Sequence, residues 1–175
     1  MKRSGAFLLL IIGSLILLMG SCKQEFSYRG SYFGDSVERV RQVEGEDGLA
    51  DTFDGFENYE LINYEREIFG DYEGTVTYFF EDEQLKHISN LISLFSEENK
   101  QKIEDIYESI LMMMHCGEPS EESKDNKVYS AFWKKDDYGI VLFVTDSIVL
   151  TTYSMDCEGS KDFYKSQHIS DLLRE

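Results

Sequence analysis

The chain has 175 residues, a single proline, three cysteines, and 17 basic against 34 acidic side chains, for a formal charge of −17. An anion of this size is repelled by phosphate backbones and acidic head groups, which argues against nucleic acid and favours cationic proteins, peptides or divalent ions as partners. The same charge also serves plain solubility.

The first residues form an export signal. Lys2 and Arg3 give a positive start, Ala6 to Met19 is apolar apart from Gly13 and Ser14, and Gly20-Ser21 are small residues suited to cleavage. The apolar run is shorter than the ~20 residues a membrane-spanning helix needs. Met19-Gly20-Ser21-Cys22 then resembles the lipobox of bacterial lipoproteins, with Met19 where leucine is more usual. The resemblance implies a diacylglyceryl group on the Cys22 thiol and cleavage before it. Two acyl chains anchor a protein stably to a bilayer. Lys23 follows where enteric lipoproteins retained in the inner membrane carry aspartate, so the resemblance points to the outer membrane if the cell has one. Processing leaves 154 residues with a formal charge of −19, enough for one domain with a real core. The division is therefore a signal peptide over 1–21, a lipidated cysteine and tether over 22–31, and a single domain over 32–175.

Within the domain, Asp35 or Ser36 caps a short helix with Val37, Val40 and Val43 on its apolar side, and Gly45 ends it. Glu46 to Glu57 reads as an acidic loop carrying Asp47, Asp51, Asp54 and Glu57. Calcium favours such oxygen clusters, but the EF-hand spacing is absent, and a solvated loop is the simpler reading. Tyr59–Phe69, Thr75–Glu81 and Leu85–Phe95 read as strands, the second rich in β-branched and aromatic residues. In the third, Ile88, Asn90, Ile92 and Leu94 share a face, and a short helix competes. Ser96 caps a helix with Ile103, Ile106, Tyr107, Ile110, Leu111 and Met114 at helical spacing, closed by Gly117 and Pro119. The methionine run 112–114 fits core filling.

Pro119 to Lys127 reads as a charged loop, followed by strands at Val128–Lys134, Tyr138–Thr145 and Ser147–Met155. Ile140 to Val144 is apolar throughout, the mark of a strand covered on both faces. Ser160 to Arg174 suggests a closing helix. The predicted fold is α+β: one antiparallel sheet of about six strands, two helices on one face in α-βββ-α-βββ order, and a candidate C-terminal helix. The order hints at a duplication without a sequence repeat. Gly34-Asp35-Ser36-Val37-Glu38-Arg39-Val40, the strand ending Tyr78-Phe79-Phe80, and Gly117-Glu118-Pro119 resemble small exported α/β modules, among them β-lactamase inhibitory protein and outer-membrane assembly lipoproteins. The resemblance implies a fold and carries over no functional residue.

No catalytic or cofactor motif stands out. His87, His115 and His168 fall in no zinc-binding pattern, and there is no nucleophile elbow or phosphate-binding glycine loop. His115 beside Cys116 is poorly placed for a thiol–imidazole pair, since adjacent helical residues diverge. Cys116 and Cys157 remain as either a disulfide or two buried thiols. No cofactor or metal is expected. Phe79, Phe80, Phe132, Trp133, Phe143 and Tyr153 lie in predicted strands, so alternation turns some away from the helices. A non-enzymatic envelope module binding another protein through Trp133, Phe79 or the acidic loop is the leading expectation. A cation or small-ligand binder using that loop and a hydrolase without a motif are the alternatives.

Overall fold

The computed structural model describes residues 26–51, 59–70, 72–94, 103–125 and 128–165. The leader, Cys22, Asp54, Glu57, Ser96 and the end of the predicted closing helix lie outside them. No helix among the described residues is long and apolar enough to cross a membrane.

Alternation of buried and exposed residues builds the main sheet. Its strands are β3 (Leu49–Asp51), β4 (Glu60–Ile68), β5 (Tyr72–Glu81), β6 (Gln84–Ser93), β7 (Glu121–Asp125), β8 (Val128–Lys134), β9 (Gly139–Val144) and β10 (Ile148–Ser154). They lie in the order β3-β4-β5-β6-β10-β9-β8-β7, with neighbours antiparallel throughout. Two four-stranded meanders are thus zipped together through their last strands, from Ile148 opposite Ser93 to Ser154 opposite His87. A separate hairpin, β1 (Ser27–Tyr28) with β2 (Ser31–Tyr32), falls on residues expected to be tether. Phe26 and Tyr28 pack on the core and Ser31 is fully buried.

Helices α1 (Val37–Glu44) and α2 (Ile103–Met114) precede the two meanders and cover one face. Ser36 caps α1, its Oγ accepting from the Arg39 amide, and Gly45 ends it with a positive φ of 116°. The predicted αβββ halves are therefore αββββ units. The fourth strands are β3, inside the expected acidic loop, and β7, inside the expected charged loop. Helix α3 (Cys157–Lys165) starts earlier than predicted and packs on the opposite face of β8, β9 and β10. This explains β9, buried at every position as its apolar run predicts.

The core on the helix face includes Ile62, Tyr78, Ile88, Trp133 and Leu142. Over the central seam, Tyr28 Oη donates to Asn90 Oδ1 (2.7 Å) and Asn90 Nδ2 to Thr151 Oγ1 (2.7 Å), so the buried amide is satisfied by the hairpin on one side and the second meander on the other. At the end of α1 the Glu44 carboxylate accepts from Arg29 Nε (2.8 Å), Arg66 Nε (3.2 Å) and Tyr78 Oη (2.6 Å). That group ties hairpin, helix, β4 and β5 together.

Candidate functional site

The sheet face opposite α1 and α2 is divided. Beneath α3 lie Phe132, Val141 and Phe143, packed with Val128, Leu150 and Cys157. Over β4, β5 and β6 no described helix lies on this side. There Leu61, Phe79 and Leu91 stand among Asn63, Thr75, Thr77 and Ser89, with Leu91 40% exposed. The polar side chains pair across the strands: Thr77 Oγ1 with Asn63 Oδ1 (2.7 Å) and Thr75 Oγ1 with Glu65 Oε1 (2.8 Å).

Where this part of the face meets α3, a slot of about 250 Å3 opens on the seam. Ser89 and Thr152 form its floor, their hydroxyls 3.0 Å apart. Phe79 and His87 form one wall, and the turn from Asp156 to Ser160 the other. That turn is fixed locally. Asp156 caps α3, accepting the Gly159 amide at Oδ1 (2.8 Å), while Ser160 Oγ donates to the Asp156 carbonyl (2.7 Å) and Ser154 Oγ accepts the Asp156 amide (3.0 Å). Gly139 lets the helix sit this close, since a Cβ there would lie 3.0 Å from Ser160 Cβ and 3.3 Å from the Cys157 Cα.

The aromatic wall extends to Tyr59, whose hydroxyl is 3.1 Å from His87 Nε2. Tyr59, Phe79 and His87 meet edge to face at centroid distances of 5.3 to 6.3 Å. Burial pushes the His87 pKa down and Lys86 adds to this, while Asp156 and Glu81 oppose it, so the imidazole is neutral at pH 7. Burial, then Glu81 and Asp156, push the Tyr59 hydroxyl up. With the phenol as donor, Nε2 is the bare nitrogen and Nδ1 carries the proton.

The slot brings together serine, histidine and aspartate, the ingredients of a hydrolytic triad, without assembling one. Ser160 donates to a backbone carbonyl and Asp156 is a helix cap, and neither hydrogen-bonds His87. What remains is a small, largely apolar recess with a polar edge that includes the Asp156 carboxylate. Such a recess accepts one apolar or aromatic side chain from a partner.

The sequence-derived candidates separate sharply. Phe79 lines the slot. Trp133 does not reach any surface: it is 1% exposed on the helix face, and its indole N–H donates to the Gly117 carbonyl (2.8 Å). Alternation put either Phe132 or Trp133 on the outer face, and it is Phe132 that lies there, under α3. Asp47 is exposed but bound to Arg66 at both carboxylate oxygens (3.0 and 3.1 Å), and that hydrogen bond draws its pKa down. Asp51 ends β3, and Asp54 and Glu57 fall outside the described residues. Cys116 and Cys157 form no disulfide, because Cys116 packs on the helix face and Cys157, the first residue of α3, packs on the opposite face. Met112 is 71% exposed rather than core. Among the described residues, no three of His, Cys, Asp and Glu converge as for a metal ion. Sequence reasoning missed Tyr59, His87 and Asp156 as neighbours, for only the seam brings them together.

Compared with protein families, curated proteins and solved structures, the chain gives no match.

Proposed function

We propose that this chain is a lipid-anchored protein of a bacterial envelope, fixed through Cys22, whose domain binds another protein on the outer face of β4, β5 and β6. The leader and Met19-Gly20-Ser21-Cys22 support the anchor. The observation that carries the binding surface is the division of the outer face. One meander is sealed by α3, while the other presents Leu91 and Phe79 with a side-chain-sized recess beside them. A central apolar recess with a hydrogen-bonded polar surround is the usual anatomy of a binding hot spot. The acidic-loop alternative is weakened by Asp47, whose carboxylate is already neutralised by Arg66.

Photo-crosslinking in the native membrane tests the surface. Probes at Leu91 and Ser93 should each trap the same partner, while a probe at Glu38 on α1 should trap none. Equal capture from Glu38, or none from the outer face, refutes it. Cys22→Ser should separately abolish acyl labelling and release the protein from the membrane.

A further inference from the structure

We propose that the groove on the helix face, between the β1–β2 hairpin and the end of α2, binds a small aromatic monocarboxylate through Lys135 and Tyr138. The groove is independent of the outer face. It has a volume of about 710 Å3, inside the ~300–1,000 Å3 range of ligand sites.

The class of ligand follows from which polar groups are spent. Arg29 lines the groove but is paired with Glu44 at 2.8 Å. The Tyr28 hydroxyl donates to Asn90, and Tyr153 is buried against Phe26 and Tyr28. Lys135 is different. Its ammonium donates to the Cys116 carbonyl (2.7 Å) and to no carboxylate among the described residues, which leaves two N–H groups. Tyr138 packs its ring on Phe26 and Phe33, and its hydroxyl has no hydrogen-bond partner among the described residues. The backbone bond from Lys135 N to the Tyr138 carbonyl (2.9 Å) holds both at one turn. Two unspent donors, one charged, thus line the groove from a single turn in a strongly acidic chain. They select an anion. The acids of the same turn, Asp136 and Asp137, are exposed and do not line the groove.

The remaining wall sets the body of the ligand. Phe26, Tyr138 and Tyr153 provide ring surfaces, with Met113 and Met114 as deformable thioethers opposite. A flat aromatic group fills such a space. Glu67 also lines the groove and repels a second carboxylate, so a monoanion is favoured over a dianion.

The test uses the protein isolated from its expression membrane, held in nanodiscs of zwitterionic lipid, with methionine methyl groups labelled with carbon-13. The probes are 2-naphthoate and its uncharged analogue 2-naphthylmethanol, corrected against empty nanodiscs. Naphthoate should shift the Met113 and Met114 methyls, leave Met112 and Met155 in place, and bind about tenfold or more tighter than the alcohol, the worth of one charge-assisted hydrogen bond. Lys135→Gln should remove that advantage and Lys135→Arg should keep most of it. Equal affinity for both probes in the unmodified protein, absence of shifts, or shifts centred on Met112 or Met155 would overturn the proposal. The comparison of probes in the unmodified protein stands even if Lys135→Gln, which removes the Cys116 contact, unfolds the chain.

Discussion

Replacing Glu44 by glutamine should destabilise the fold by about 3 kcal/mol. The carboxylate is 3% exposed and accepts three hydrogen bonds, from Arg29, Arg66 and Tyr78. Breaking a buried ion pair from one side typically costs ~3–5 kcal/mol. Two features place this site at the lower end. Arg66 keeps Asp47, and Arg29 is 37% exposed, so water takes over much of its solvation. Tyr78 has no such relief, being fully buried. Its pKa is driven far above the ordinary tyrosine range by burial, then by the bond to Glu44. Urea unfolding followed through Trp133 should show a lower midpoint at unchanged slope, since the exposed surface is the same. A double-mutant cycle with Tyr78→Phe should give a coupling of at least ~1 kcal/mol. A Glu44→Gln variant within ~0.5 kcal/mol of the parent, or a cycle without coupling, refutes the assignment of Glu44 as the tie between hairpin, helix and sheet.

Acid should weaken the fold through His87. Its folded pKa is depressed, so its neutral form contributes stability that is complete above about pH 6.5 and is lost as pH falls toward the folded value. His87→Gln should flatten that part of a stability-versus-pH curve. Alkali should act in the other direction: burial pushes Tyr28 up to about 12, so stability is held below about pH 10 and lost above it, visible as delayed phenolate absorbance. Gly74→Ala should cost ~1–3 kcal/mol in urea unfolding, because its Cβ would lie 2.5 Å from the Leu91 carbonyl oxygen and backbone must move. Both thiols should alkylate without reductant, Cys116 only slowly near neutral pH because burial raises its pKa despite Lys135. A mass showing no alkylation until reduction would instead indicate a bridge.

The strands that were legible in the sequence are those whose burial leaves a pattern. The unbroken Ile140–Val144 run announced a strand covered twice, and the structure supplies the two covers, helix-face core and α3. The capping signal at Ser36 and the glycine stop at Gly45 placed α1 almost to the residue. β7 left no pattern, because Glu121-Glu122-Ser123-Lys124-Asp125 is an edge strand held by backbone pairing to β8 and carrying the charges that edges use against aggregation. β3 is short and acidic for similar reasons of position. The outer site was only partly legible. Opposite the step from Phe79 to Phe80, β6 carries Lys86 as an extra residue, which changes the phase of alternation along β6 so that Leu85 and Ile88 both face inward, and phase is what decides inside from outside. Alternation also separates Phe132 from Trp133 but says nothing about which of the two faces the larger core. The turn between β5 and β6 adds a further irregularity, since Asp82 and Glu83 adopt positive φ of 51° and 62° where asparagine and glycine are usual.

The zipped seam also dictates an order of assembly. Pairings within each meander are local, whereas Asn90 must wait for Thr151 across 61 residues of chain, and such distant closures form late. Until then β6 is an open edge able to accept any strand of matching pattern. The strand that matches best is β10 of another copy. Early association at high concentration is therefore expected to give an exchanged dimer in which each copy completes the other's sheet, a species that size-exclusion of refolded protein would reveal. The polar bond at the seam's centre restricts what can close it to a strand bearing a hydrogen-bonding group at the position of Thr151.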